Sequence, residues 1–135
     1  MIEFNYEIDF ILVEQDVFHQ WVEKIVFSEG KTYGDICFIY CDDEYLLKLN
    51  KEHLQHDTYT DIITFDYCVG NELCGDIFIS IDRVKENAIA FSVSFDNELL
   101  RVMSHGILHL CGYKDKSDAD TELMRAKEEE KMLFF

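Results

Sequence analysis

The sequence contains no proline and only six glycines, so helix ends must be marked by those glycines and by capping side chains. Cationic residues are scarce: 12 lysines and arginines stand against 28 aspartates and glutamates, a formal charge of −16. Charging all five histidines would leave −16 + 5 = −11. Such a surface repels phosphate backbones, so composition alone argues against a nucleic-acid partner. No apolar run approaches the roughly 18 residues of a membrane span. MIEFNYEIDF at the start has neither a basic nor an apolar leader region, so no secretory signal is expected. The five cysteines, Cys37, Cys41, Cys68, Cys74 and Cys111, are odd in number and form no CxxC pair. Reduced, mostly structural thiols in a cytoplasmic protein fit this pattern.

What is present reads as one globular domain over residues 1–135, with 48% hydrophobic residues. Phe4, Tyr6, Ile8 and Phe10 alternate with Glu3, Asn5, Glu7 and Asp9, the period of a half-buried strand. Val17, Trp21 and Ile25 recur at helical spacing, predicting a helix over Asp16–Ser28 that stops at Gly30. Asp35–Tyr40 reads as a strand, and Asp42 is placed to cap a helix reaching about His53. Thr60–Tyr67 and Gly75–Ser80 read as a hairpin around Gly70-Asn71. Three helices follow: Ile81 to about Ala90, Asp96–Cys111 stopped by Gly112, and a last one begun by Ser117 and Asp120. The class is α+β, a small mixed sheet of about four strands with helices packed against it and a metal site at the end of a core helix.

On the helix Asp96–Cys111, Leu99, Val102, Met103, Gly106 and Leu110 make an apolar stripe. Glu98, His105 and His109 lie beside it, because residues seven and four apart share a face. Imidazoles at i and i+4 can reach one metal ion. A zinc protease would carry its general-base glutamate where Gly106 stands, which counts against peptidase chemistry. Gly106 costs roughly 1 kcal/mol in a helix interior, and its place between the histidines suggests close approach by another backbone or a ligand. Gly112-Tyr113 then turns the chain back, so that a following carboxylate, Asp115, Asp118 or Asp120, can supply a third ligand. Cys111 points about 200° round the helix from His109 and competes poorly.

HGILHLCGYKD, residues 105–115, resembles the H-G-x-L-H-L-x-G-Y-D-H signature of the YbeY family. LNKEHLQHDTYTDIITF, residues 49–65, is similar to that family's L-N-x-x-Y-R-x-x-D-x-P-T-D-V-L-S-F block, and GDIFIS to its G-D-I-x-I strand. Glu98-Leu99 matches an acidic-leucine pair before the histidines. The resemblance implies a zinc-dependent, single-strand-specific endoribonuclease of rRNA maturation and ribosome quality control. It also implies RNA and a ribosome or ribosomal protein as partners, and no membrane.

Carried over by position, one Zn²⁺ would be held by His105, His109 and Asp115, the last standing where the family has a third histidine. Two histidines and a carboxylate form a known open catalytic set, with a place left for the water that attacks the phosphodiester. Lys114 stands where the family has an aspartate, which bears on any carboxylate supporting the ligands. Glu98 is a candidate to orient a histidine or pass a proton. The family's tyrosine-arginine falls on His53-Leu54. Leu54 cannot hold phosphate, so Lys51, His53 and His56 are the candidates for substrate binding. Thr60, Asp61 and Thr64 are expected to shape the strand lining the cleft. Two other functions are compatible with the chain: a ribosome-associated binding factor with a mainly structural metal, and a metal-dependent hydrolase of another substrate.

Overall fold

The computed structural model describes residues 1–53 and 60–135. In chain order the elements are β1 (Ile2–Tyr6), α1 (Gln15–Ser28), β2 (Thr32–Cys41), α2 (Asp43–His53), β3 (Ile62–Asp66), β4 (Glu72–Ser80), α3 (Ile81–Ala90), α4 (Phe95–Leu110) and α5 (Asp118–Met132). The four strands form one sheet in the order β1-β2-β4-β3. β1 and β4 run parallel to β2, while β3 closes a hairpin antiparallel to β4. This is the α+β mixed sheet expected.

Alternation along the strands sends side chains to two cores. Ile36, Phe38 and Tyr40 of β2 and Leu73, Ile77 and Ile79 of β4 pack with Trp21 and Ile25 of α1 and with Leu99, Met103 and Ile107 of α4. On the other face Cys41, Ile63, Phe65 and Phe78 receive Leu46 and Leu49 of α2. The parallel register pairs Phe4 with Phe38 and Tyr6 with Tyr40, and both ring pairs stack at 5.6 Å. Aromatic pairs across strands add to the ladder's own hydrogen bonds. β1 ends at Tyr6, four residues before the alternation does. Ile8 and Phe10 still pack on the core from the loop, so the period persists without a strand.

Capping follows the side chains read for it. Asp42 Oδ1 accepts from the Tyr45 amide at 2.8 Å and Ser117 Oγ from the Asp120 amide at 3.0 Å. Gly112 takes φ 104°, the left-handed region that glycine enters without penalty.

α5 is anchored to the body by polar groups more than by apolar ones. Its buried residues are Met124, Glu128 and Lys131. The Lys131 ammonium donates to Glu29 at 2.7 Å, to Glu130 at 2.8 Å and to Ser28 Oγ at 2.9 Å, and the Lys131 carbonyl accepts from the Trp21 indole at 2.8 Å. Glu29 also accepts from the Tyr113 hydroxyl at 2.6 Å. Burial alone would raise the Glu29 pKa, but the hydrogen bonds from Lys131 and Tyr113 outweigh it and hold the carboxyl below its ordinary value. A carboxyl whose pKa is depressed in the folded state stabilises fully above its unfolded pKa. That contribution fades as the pH falls through the folded value. Glu29→Gln is therefore expected to cost about 2 kcal/mol at neutral pH and progressively less in acid. Urea unfolding across the acid range measures this, and a gap between the two proteins that stays constant with pH would refute it.

Candidate metal centre

α4 is set on the sheet by a face that includes Leu99, Val102, Met103, Ile107 and Leu110. Gly106 lies on that face. A Cβ there would come within 2.8 Å of Ile77 Cγ2 and 2.9 Å of Ile62 Cδ1. The close approach predicted at this glycine is therefore made by isoleucine side chains of the sheet, not by backbone or ligand. It lets α4 sit low on β3 and β4 and brings the two histidines to the sheet's open edge.

His105 and His109 project from consecutive turns with ring centroids 4.4 Å apart and planes at 85°. Beyond Gly112 the chain doubles back, and Asp115 Oδ2 lies 3.3 Å from Nε2 of both rings. One donor atom from each of the three residues falls within 4.8 Å of the others. Zinc bonds of 2.0–2.2 Å in a tetrahedral arrangement put neighbouring donors about 3.4 Å apart, so the 3.3 Å spacings suit that ion. The outer nitrogens are committed elsewhere. His105 Nδ1 meets Glu128 Oε2 at 2.7 Å, and His109 Nδ1 meets the Tyr113 carbonyl at 3.0 Å. Both contacts suit a proton on Nδ1, so that in the neutral imidazole each Nε2, on the side of Asp115, is the nitrogen free to ligate. Burial lowers the His105 pKa, but the Glu128 hydrogen bond and charge, then Asp115 and Asp61, outweigh it and raise the net value. A more basic imidazole is a stronger ligand.

Glu128 is the residue that sequence reasoning missed. It lies 23 positions beyond His105, on α5, with its other oxygen 3.1 Å from Arg101 Nη1. Its signal was a carboxylate in a buried helical series, four residues after Met124 and three before Lys131. The orienting role considered for Glu98 belongs, for His105, to Glu128. Glu98 is buried rather than solvated: it is 3% exposed, and its Oε1 has no hydrogen-bond partner among the described residues. Burial raises its pKa, Arg101 lowers it, and Asp61 and Glu128 raise it further.

The three donors stand in a cleft of about 830 Å³. Thr60, Asp61 and Thr64 line it as expected, along with Glu98. Its cations among the described residues are Arg101, Lys116 and Arg125. Lys51 and His53 end α2 away from this lining, and the His53 ring lies edge-on to Phe65 at 5.8 Å. His56 and Leu54 fall outside the described residues. Asp118 and Asp120 occupy the first turn of α5, where carboxylates suit the helix dipole, and Lys114 is exposed. Burial pushes the Cys111 and Cys68 thiols up to about 11 and Cys41 up to about 12, so they remain neutral. The five cysteines are unpaired. No helix among the described residues is long and apolar enough to cross a membrane.

Glu128→Gln keeps the shape but weakens the hold on His105. Zinc affinity, measured by competition with a chromophoric chelator, is expected to fall about 10- to 100-fold. Unchanged affinity would show that His105 needs no carboxylate behind it.

Residues 3–135 match the family described as Endoribonuclease YbeY. The chain is 60% identical over its whole length to Endoribonuclease YbeY of Flavobacterium johnsoniae, covering 97% of that protein. It is 58% identical to that of Christiangramia forsetii, over 99% of this chain and 94% of the relative. The solution structure of a Thermotoga maritima protein superposes with a TM-score of 0.69 at 28% identity, covering 99% of this chain and 88% of the other. By sequence along its whole length and by fold, the chain belongs to the YbeY endoribonuclease family.

Proposed function

We propose that the protein is a zinc-dependent endoribonuclease that cleaves single-stranded RNA in rRNA maturation and ribosome quality control, with residues 1–135 acting as one hydrolase domain. The convergence of His105 Nε2, His109 Nε2 and Asp115 Oδ2 on one point of a cleft, in a chain of this family, carries the proposal. These three residues would hold one Zn²⁺, and the donor chemistry fits it. When bound, the ion supplies Lewis acidity toward a phosphoryl oxygen and lowers the pKa of a coordinated water.

The protein's own residues do the rest. Glu128 and the Tyr113 carbonyl fix both imidazoles in the ligating tautomer. Arg101 compensates the Glu128 charge at 3.1 Å. Lys116 and Arg125 are exposed at the cleft and can draw in phosphate. Glu98, desolvated and with its pKa raised, can hold or pass a proton at Oε1. Lys51, His53 and His56 remain candidates for contact with RNA beyond the cleft, in place of the family arginine.

The cleft's charged lining is three cations and five carboxylates, 3 − 5 = −2, within a chain of −16. Free RNA should bind weakly and with strong salt dependence. A ribosome or a basic ribosomal protein in the cytoplasm would present the substrate and meet the acidic body. The same acidity favours a second reading, a ribosome-associated binding factor whose metal is structural. Zinc content and cleavage of single-stranded RNA and immature ribosomes by the purified protein test the choice. Stoichiometric zinc with cleavage supports the enzyme. Stoichiometric zinc with ribosome binding and no cleavage supports the binding factor. Cleavage of peptides, amides or esters alone would select a different hydrolase.

A further inference from the structure

Phe91 lines the same cleft as the three metal donors, yet it is 56% exposed. No other ring lies against it among the described residues, whereas the phenyl groups of Phe4, Phe10, Phe18 and Phe65 each have ring neighbours. Its backbone is tied into the helix end by hydrogen bonds. Phe91 follows the last residue of α3 and donates to the Asn87 carbonyl at 2.9 Å. Ser92 donates to Ile89 at 3.2 Å and Val93 to Ala88 at 3.0 Å. Ser92 itself adopts φ 57°, a left-handed conformation that a serine enters at a cost. These bonds and the left-handed Ser92 are the common closing geometry of a helix end; they fix where the Phe91 backbone sits at the cleft, while its phenyl stays outside the core. Ile89 and Val93 on either side are also exposed but do not line the cleft, so the ring is the one of the three that faces the site.

We propose that Phe91 is the stacking platform for a base of the RNA strand in the cleft. This rests on the endoribonuclease reading and makes Phe91 a positioning residue of that reaction. A flat apolar face suits a site whose charged side chains sum to −2, so that even a bound Zn²⁺ leaves no net positive charge for phosphate. Stacking gains affinity without cations and accepts any unpaired base, whereas a paired base has its faces covered. A preference for single strands follows from this, independent of base identity.

The test uses the zinc-loaded full chain and short single-stranded oligoribonucleotides carrying 2-aminopurine, whose fluorescence is quenched by stacking. Wild type should quench the probe at one position of the strand, and Phe91→Ala should not. For cleavage, Phe91→Ala is expected to raise KM about tenfold with kcat nearly unchanged, and Phe91→Trp to restore KM. An oligonucleotide abasic at the quenched position should bind wild type as weakly as the intact strand binds Phe91→Ala. Because the ring is over half exposed, the variant should keep its thermal unfolding midpoint. Equal KM and equal quenching for wild type and a folded Phe91→Ala would overturn the stacking role while leaving the nuclease intact. Wild type that cleaves no RNA would instead remove the nuclease reading and this inference with it.

Discussion

His109→Ala is expected to empty the metal centre and reduce RNA cleavage by about a thousandfold, while the protein stays folded. The side chain is 27% exposed, and its contacts are to Asp115, the Tyr113 carbonyl and the His105 ring. Removing it leaves one imidazole and one carboxylate, too few to hold zinc in a catalytic site. The Lewis-acid contribution of such an ion is several kcal/mol, and about 4 kcal/mol corresponds to about a thousandfold in rate. Metal analysis, circular dichroism and cleavage of single-stranded RNA on one preparation measure all three quantities. Normal rRNA processing by a folded, zinc-free variant would reject the enzyme and leave the ribosome-associated binding factor.

Gly75→Ala is expected to have the largest effect on stability, about 3 kcal/mol or about 10 °C in the thermal midpoint. A Cβ at Gly75 would lie 2.6 Å from the Phe65 carbonyl oxygen and 2.8 Å from Leu110 Cδ2. The carbonyl belongs to β3, which is paired to β4 at this point, and cannot retreat without breaking the hairpin. Leu110 is the last residue of α4, one position after His109. Relieving either clash therefore displaces the cleft wall or the end of the ligand helix, and zinc affinity should fall with stability. Gly70→Ala is the control. Gly70 has open space around it and pays only for its positive φ of 59°, about 1 kcal/mol. A Gly75 variant no less stable than the Gly70 variant would contradict the packing argument.

Much of this architecture could be read from periodicity. The helical stripe of α4, the alternation through β1, the turn at Gly70-Asn71 between β3 and β4, and the caps at Asp42 and Ser117 are local signals, written within a few residues of where they act. His105 and His109 were legible for the same reason: four residues is one helical turn. Asp115 needed the resemblance to single it out from Asp118 and Asp120, because loop geometry after Gly112 carries no period. Glu128 was hidden because it reaches His105 through the docking of α5 on α4, a tertiary fact. Phe91 gives no signal of its own, since an exposed ring and a buried one look alike in sequence. Gly106 announced close packing but not what packed there. The strand expected to reach Phe10 ends at Tyr6 because its partner β2 itself ends at Cys41, one residue past the Tyr40 that pairs with Tyr6.

The polar anchoring of α5 has a kinetic meaning. A helix held by a lysine, a glutamate and few apolar contacts is the kind that opens locally, without global unfolding. Each opening withdraws Glu128 from His105 and frees that ring to rotate out of its ligating pose. Bound zinc, by favouring the state in which Glu128 is in place, must in turn slow amide exchange along α5, so that the ion and the carboxy-terminal helix clamp one another.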